Sequence, residues 1–572
     1  MKRILLGVLG FLLLFQTAAT AESLIQLKNG TTATGSFRFE NGTLTFHNGT
    51  AIPAREIQQI LIHADSGSSP AASESAQSIS RPLGIASAAA AFIARFPDAG
   101  GILLADELTY RYLPNDTHTL RVYFLGQVLK EDHKSWADQV FYYTEGRDRV
   151  QVKTARCIQP DGTVITADPA TFKIAKPQMS PGVFLKYLQL SFRIPGVDIG
   201  SLVEVEYEIE TYNPYRPEFF FPINYFQSQA PVFNSRLTIS VPESKTVFWD
   251  VRNFPKELET PLQMTANGVK QYIWERQEMA PIVPEPYMPP GGDGIPYVQA
   301  SLFEGWEKIN DWILAYWKPN TTPTPELASQ AAEIVKGLTT EDEKVAKIYH
   351  WVQKNIRYII IKGDAATVYG SYPAQETVQK QFGCCVDKAM VFAALLNAVG
   401  IKNGPLLINA GGHEMSRRIP NLNISHAISR VTRPDGSTYY LDSTNYDFRY
   451  PSMPTMNQGK LVLDPFNGSM DEVPLQKPEE NMFKLVASLT LSADGTITSV
   501  GKRTMTGEME VGVRQWMKSM KPREREEAML TRINGYGQGA RLLALKLENL
   551  EDIERPLGME LHYSLASYPR AI

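Results

Sequence analysis

Cysteine is scarce. Three residues in a chain of 572, Cys157, Cys384 and Cys385, exclude a disulfide scaffold. In an oxidising compartment an odd count leaves one thiol free or bonded between molecules. No concentrated block of Lys and Arg occurs, and the 57 basic against 61 acidic residues give a formal charge of −4. Phosphate contacts need clustered cations, so nucleic-acid binding is not expected as the main role. No histidine spacing resembles a zinc site, and there is neither an EF-hand-like loop nor a dense acidic cluster, so no metal and no cofactor is expected. Past the N-terminus no stretch approaches the roughly 20 apolar residues of a bilayer span.

At the N-terminus Lys2 and Arg3 precede an apolar run from Ile4 to Phe15 and small residues ending Ala19-Thr20-Ala21. That is the order of a secretory signal peptide, 1–21, with cleavage expected after Ala21. The expectation is a secreted protein of a Gram-negative periplasm, with no membrane span once the signal is removed. Cleavage leaves about 550 residues, enough for three or four domains.

Residues 22–65 alternate polar and apolar side chains between turn signals such as Lys28-Asn29-Gly30 and Glu40-Asn41-Gly42, which reads as a small all-β module. The Ser-, Ala- and Gly-rich stretch 66–82 reads as a flexible linker. From 83 to 290 period-two runs such as Val203-Glu204-Val205-Glu206-Tyr207 and Arg236-Leu237-Thr238-Ile239-Ser240-Val241 predict an antiparallel β-sandwich. Its aromatics, among them Tyr212, Tyr215, Phe219, Phe220 and Phe221, read as core and hairpin packing rather than a carbohydrate or peptide platform. Pro and Gly crowd 284–296, and the pattern beyond turns helical.

Thr340 with Glu343 fits a capping box ahead of Val345, Ile348, Tyr349, Val352 and Ile356 at helical spacing. Another helix is expected from Cys385 to Val399, with Ala389, Phe392, Leu396 and Val399 on one stripe and Gly400 as its cap. An α+β domain is thus expected over 291–475. Residues 476–572 read as a β-rich domain with a helical insert from Val511 to Arg532, its last sheet either incomplete or naturally ending there.

The sharpest chemical feature is Gly383-Cys384-Cys385-Val386-Asp387-Lys388-Ala389 opening a helix. A thiol in the field of a helix N-terminus is more readily ionised, and nearby backbone amides can hold an oxyanion. A thiolate nucleophile also wants an imidazole and a group to orient it. Ile424 to Val431 alternates as a strand containing His426, Pro434-Asp435-Gly436 forms a turn, and Thr438-Tyr439-Tyr440-Leu441-Asp442 returns. A three-residue loop pairs Arg433 with Ser437 and hence Ile428 with Asp442, leaving His426 diagonal to Asp442 on one face at roughly 7–8 Å. A slip of one residue would put the two on opposite faces. His413, in Gly411-Gly412-His413-Glu414, is the competing base, on a loop without a partner strand.

Gly-x-Cys-x-Asp-Lys-Ala at the head of a helix ending in Gly-Ile, then a strand His, an Asp-Gly turn and Tyr-Leu-Asp-Ser-Thr, resembles the transglutaminase-like superfamily. More narrowly it is similar to bacterial secreted proteins with a β-rich domain of unknown function ahead of that core. The likeness spans about 83–475, and Asn355-Ile356-Arg357-Tyr358 matches the usual lead-in. It implies a papain-like α+β core with Cys385 as nucleophile, His426 as base and Asp442 as its orienter. Relatives usually carry Asp where this chain has Cys384; a tolerated substitution is the reading preferred over a Cys384–Cys385 or Cys384–Cys157 disulfide. The chemistry expected is acyl transfer on a protein or peptide amide, by hydrolysis or transamidation. The opposing expectation is a catalytically silent envelope protein whose β domains bind peptide or glycan.

Overall fold

Period-two alternation in the first half of the chain becomes one long sheet. The computed structural model describes residues 74–572 except 287, 289–293, 363–368, 411–414, 538 and 567–572. Ahead of these it describes 23–27, 32–35, 37–40, 43–46, 50–53 and 57–62. The signal-peptide segment and His413 lie outside the described residues. Two units form, one of 1–179, 186–306 and 416–422, the other of 180–185, 307–415 and 423–572.

In the first unit eleven strands form a single sheet. Leu202–Thr211 and Val232–Pro242 lie within it, and Leu237, Ile239 and Val241 are fully buried on one face. Two three-stranded sheets pack onto it as further layers. One contributes Phe141, Leu190 and Phe192 against Ala155, Val203 and Val205; the other contributes Val298 and Ala300 against Leu237, Ile239 and Trp274. Phe219 and Phe220 are buried, whereas Tyr212 stands exposed under the Arg149 guanidinium.

Two expectations need correction here. Residues 66–82 are not a linker throughout, because a helix runs Glu74–Ala88 and sets Ile79 and Ile85 against Phe92, Ile102 and Leu104. The N-terminal strands are not all a separate module either. Ile57–Ile62 pairs in parallel with Leu262–Ala266, Gln59 opposite Gln263, and so joins Ser23–Leu27 and Thr32–Gly35 to the large sheet. Hairpin signals are local, whereas this pairing spans some two hundred residues of chain.

In the second unit helix α1, Glu341–Asn355, begins with the expected capping box. Strand β1, Arg357–Tyr358, pairs in parallel with β2, Phe382–Gly383. Helix α2, Cys385–Ala398, follows and ends at Gly400, whose φ of 75° needs no Cβ. Every residue of α2 from Cys385 to Leu396 is buried, not one stripe alone. Such a helix is enclosed on all sides. It packs on an antiparallel sheet in the order β5-β4-β3-β6-β7, made of β3 Asn403–Ile408, β4 His426–Thr432, β5 Thr438–Leu441, β6 Leu461–Leu463 and β7 Met470–Glu472. Val391, Phe392, Leu395 and Leu396 of α2 meet Val345, Ile348 and Val352 of α1 and Val431 and Leu441 of the sheet.

Beyond this core, β8 Phe483–Leu491, β9 Ile497–Met505, β10 Ala540–Glu548 and β11 Gly558–Leu565 form a four-stranded sheet in the order β8-β9-β11-β10. The single helical insert expected from Val511 is two helices, α3 Gly507–Lys518 and α4 Pro522–Asn534. Pro522 cannot continue α3 and instead occupies the first turn of α4.

Candidate active site

Cys385 is the first residue of α2 and is 4% exposed. The parallel pairing of Tyr358 with Gly383 holds the approach to it. A Cβ on Gly383 would come 2.5 Å from Cβ of Asp387, so only glycine fits at this point. Asp387 closes the helix start, Oδ2 accepting from Cys384 N at 2.7 Å and Oδ1 from Tyr372 N at 2.8 Å. All three cysteines are free thiols.

The tight turn holds its register. Arg433 N donates to Ser437 O, Thr432 faces Thr438 and Ser429 faces Leu441. Continuing that register puts Asp442 opposite Ile428, and His426 Nε2 meets Asp442 Oδ2 at 2.9 Å. The Cys385 thiol is near enough to the imidazole to help raise its pKa. With Nε2 turned to Asp442, Nδ1 is the nitrogen left for sulfur. The structure therefore brings Cys385, His426 and Asp442 together.

Three features around them were not read from the sequence. Asp442, 3% exposed, is held by four donors: His426 Nε2, Asn457 Nδ2 at 2.8 Å, Thr444 N at 3.0 Å and Thr444 Oγ1 at 2.6 Å. Burial pushes its carboxyl pKa up, but His426 and Thr444 outweigh this and hold it at about 2. Tyr358 lies beside the thiols of Cys385 and Cys384, and burial together with those thiols raises its pKa well above the usual phenol range. Lys388 is fully buried one turn along α2. Its Nζ donates to Ile356 O at 2.6 Å and Val352 O at 3.3 Å and lies 4.9 Å from the Tyr446 ring centre. Thr444, two residues after Asp442, has the spacing of a side-chain turn and could have been suspected; Asn457 carries no local signal.

The imidazole and the ammonium titrate in opposite senses. Burial disfavours charge on His426, but Asp442 and Cys385 overcome it and raise its pKa from 6.5 to about 10. Burial lowers that of Lys388 from 10.5 to about 7, against the pull of Asp442. Between those limits the folded chain keeps a proton on His426 that the unfolded chain has lost, so this stabilisation, complete below 6.5, fades as pH rises through about 10. Over the same interval the unfolded chain holds a proton on Lys388 that the folded chain has released, so stability there grows with pH. Urea midpoints measured from neutrality to about pH 10 should be nearly flat for wild type, fall with pH in Lys388→Met and rise with pH in His426→Ala. A Lys388→Met profile parallel to wild type would contradict the assignment.

Among the described residues no group of three or more His, Cys, Asp or Glu could hold a metal ion, and no helix is long and apolar enough to cross a membrane. Residues 328–406, which include Cys385 but end before His426, match the transglutaminase-like superfamily; residues 114–283 match a domain of unknown function with a solved structure, DUF3857. No curated protein matches the chain. The crystal structure of a candidate protease from Parabacteroides distasonis is similar at 14% identity, with a TM-score of 0.55 over 82% of this chain and 93% of that one. A candidate cysteine protease from Cytophaga hutchinsonii matches at 13% identity over 63% of this chain and 80% of its own, with a TM-score of 0.18. The Parabacteroides structure shares the fold.

Proposed function

We propose, for a chain whose core is of the transglutaminase-like superfamily, a periplasmic, cysteine-dependent acyl-transfer enzyme acting on protein or peptide amides. The observation that carries this reading is one imidazole that meets the Asp442 carboxylate at 2.9 Å and whose pKa is raised by both that carboxylate and the neighbouring Cys385 thiol. His426 takes the thiol proton, and the thiolate, favoured by the N-terminus of α2, attacks the amide carbonyl. His426 returns the proton to the departing amine, leaving a thioester on Cys385. Water then gives hydrolysis, and an amine gives transamidation. Asp442 holds the ring in one orientation and stabilises its cationic form.

One observation favours the alternative of a silent scaffold, namely that Cys385 is only 4% exposed. Alkylation of Cys385 in the reduced protein, followed by peptide mass spectrometry across pH, separates the two. An assembled, reachable thiolate labels rapidly well below the ordinary thiol pKa of about 8.5, and His426→Ala abolishes that rapid phase. Slow labelling with an ordinary thiol profile, the same in the variant, would leave the fold without the activity.

A further inference from the structure

The carboxylate that faces His426 depends on a residue fifteen positions further along the chain, since Asn457 Nδ2 donates to Asp442 Oδ2 at 2.8 Å. Asn457 is fully buried, and its Oδ1 has no hydrogen-bond partner among the described residues. Its amide nitrogen otherwise meets the Met453 sulfur, at 3.5 Å. A side chain held by so little points at Asp442 only as well as its own backbone is placed.

That backbone leaves β5 at Asp442 and forms no strand before β6, only a 3₁₀ turn, Thr455–Asn457, at its end. Helix α1 grips its first half. Tyr349 Oη donates to Asp442 O at 2.8 Å, and Gln353 Nε2 donates to Asn445 O at 2.6 Å and to Phe448 O at 2.9 Å. The second half rests on α3. Arg449 Nη2 meets Glu510 Oε2 at 3.1 Å, and Thr455 N donates to Glu508 Oε2 at 2.8 Å, with the Thr455 hydroxyl bonded to the same oxygen. The first amides of a helical turn have no acceptor within it. Pro454, at the cap position, makes no side-chain bond to them, so an acceptor that Asp or Ser would supply locally comes from α3 instead. Beyond the turn Gly459 N donates to Val473 O at 2.8 Å. The short segment carrying Asn457 is thus pinned on one side by the sheet and on the other by Glu508.

We propose that Glu508 is a positioning residue of the acyl-transfer site: it caps the turn that carries Asn457, and Asn457 holds the Asp442 carboxylate towards His426. The chemical consequence rests on the acyl-transfer reading, whereas the chain of contacts from Glu508 to Asp442 does not. Glu508 lies well beyond residues 328–406, the segment that matches the transglutaminase-like superfamily. Part of what orients the base is therefore supplied by α3, outside that segment. A turn released from Glu508 lets Asn457 drift, the carboxylate loses a buried donor, and the imidazole is held less firmly. Misplacing a reacting group by about 1 Å costs up to about 100-fold in rate.

Two readouts on the full chain test it. The rate of Cys385 alkylation at neutral pH reports the chemistry. Solvent exchange of the His426 Nε2 proton, followed by NMR with isotopically enriched histidine, reports the contact with Asp442 whether or not the thiol is activated. Glu508→Ala should slow alkylation and speed proton exchange, each about tenfold, at a urea midpoint close to that of wild type. Asn457→Ala should do the same, and the double variant should be no worse than Asn457→Ala alone, because both residues act along one path. Glu508→Gln, whose amide oxygen still accepts from Thr455, should restore wild-type values. Additive effects in the double variant would overturn the proposal, as would a Glu508→Ala protein whose proton exchange matches wild type. If wild-type Cys385 labels like an ordinary thiol while Glu508→Ala still speeds the exchange, the acyl-transfer reading falls and the positioning of Asp442 stands.

Discussion

Asp442→Asn should slow chemistry at Cys385 by about four orders of magnitude while leaving the chain folded. The carboxylate accepts from four donors, and an amide replaces one acceptor with a donor. Thr444 N and Oγ1 converge on Oδ1, so the amide oxygen stays with them. Its nitrogen then faces His426 Nε2, which must accept instead of donate. The imidazole proton moves to Nδ1, the nitrogen needed to receive the thiol proton. Labelling of Cys385 by iodoacetamide should therefore lose its fast phase at neutral pH and follow an ordinary thiol, with a midpoint near about 8.5. Thr444→Val, which removes only the hydroxyl donor, should shift the profile in the same direction by much less. An Asp442→Asn protein that labels at the wild-type rate would exclude Asp442 from any role in orienting the base.

The largest loss of stability is expected from Glu510→Ala. Glu510 is 2% exposed, Arg514 is fully buried, and Arg514 Nη2 donates to Glu510 Oε1 at 2.7 Å. Arg449 Nη2 meets Oε2 at 3.1 Å and Leu557 N meets Oε1 at 3.1 Å. The Arg514 guanidinium also donates to the carbonyls of Leu550 at 2.7 Å and Arg555 at 3.0 Å. That arginine thus ties α3 to the loop between β10 and β11. Removing the carboxylate strands a buried cation and a backbone amide, a change that costs about 3–5 kcal/mol. Reversible urea unfolding followed by fluorescence would measure it. A loss below about 1 kcal/mol, typical of a solvated surface pair, would mean that water reaches Arg514.

What could be read from the chain beforehand follows the range of each interaction. The turn at Pro434-Asp435-Gly436 fixes its own register, so the diagonal relation of His426 to Asp442 follows from a few neighbouring residues. The capping box at Thr340 and Glu343 and the glycine that ends α2 are equally local. Asn457 reaches Asp442 from a segment without periodicity, and Lys388 finds the carbonyls of Val352 and Ile356 only once α1 and α2 are packed. Neither leaves a trace in spacing. Ile57 to Ile62 was legible as a strand, but its partner, Leu262–Ala266, was not. The break between α3 and α4 is a different case, since Pro522 stands in plain view and its effect on a helix is general.

The two units also exchange short strips of chain. Val183–Leu185, numbered within the first, pairs with Ile360–Lys362 of the second. Residues 416–422, numbered within the second, belong to the first, where Asn421 Nδ2 donates to Gln299 Oε1. On a ribosome that delivers the N-terminus first, the first unit therefore waits for more than a hundred further residues before its last strip arrives, and a gene fragment stopping at codon 306 would encode it incomplete. Neither unit is a separable cassette, so transplanting the Cys385 site onto another protein would require carrying 180–185 along with it.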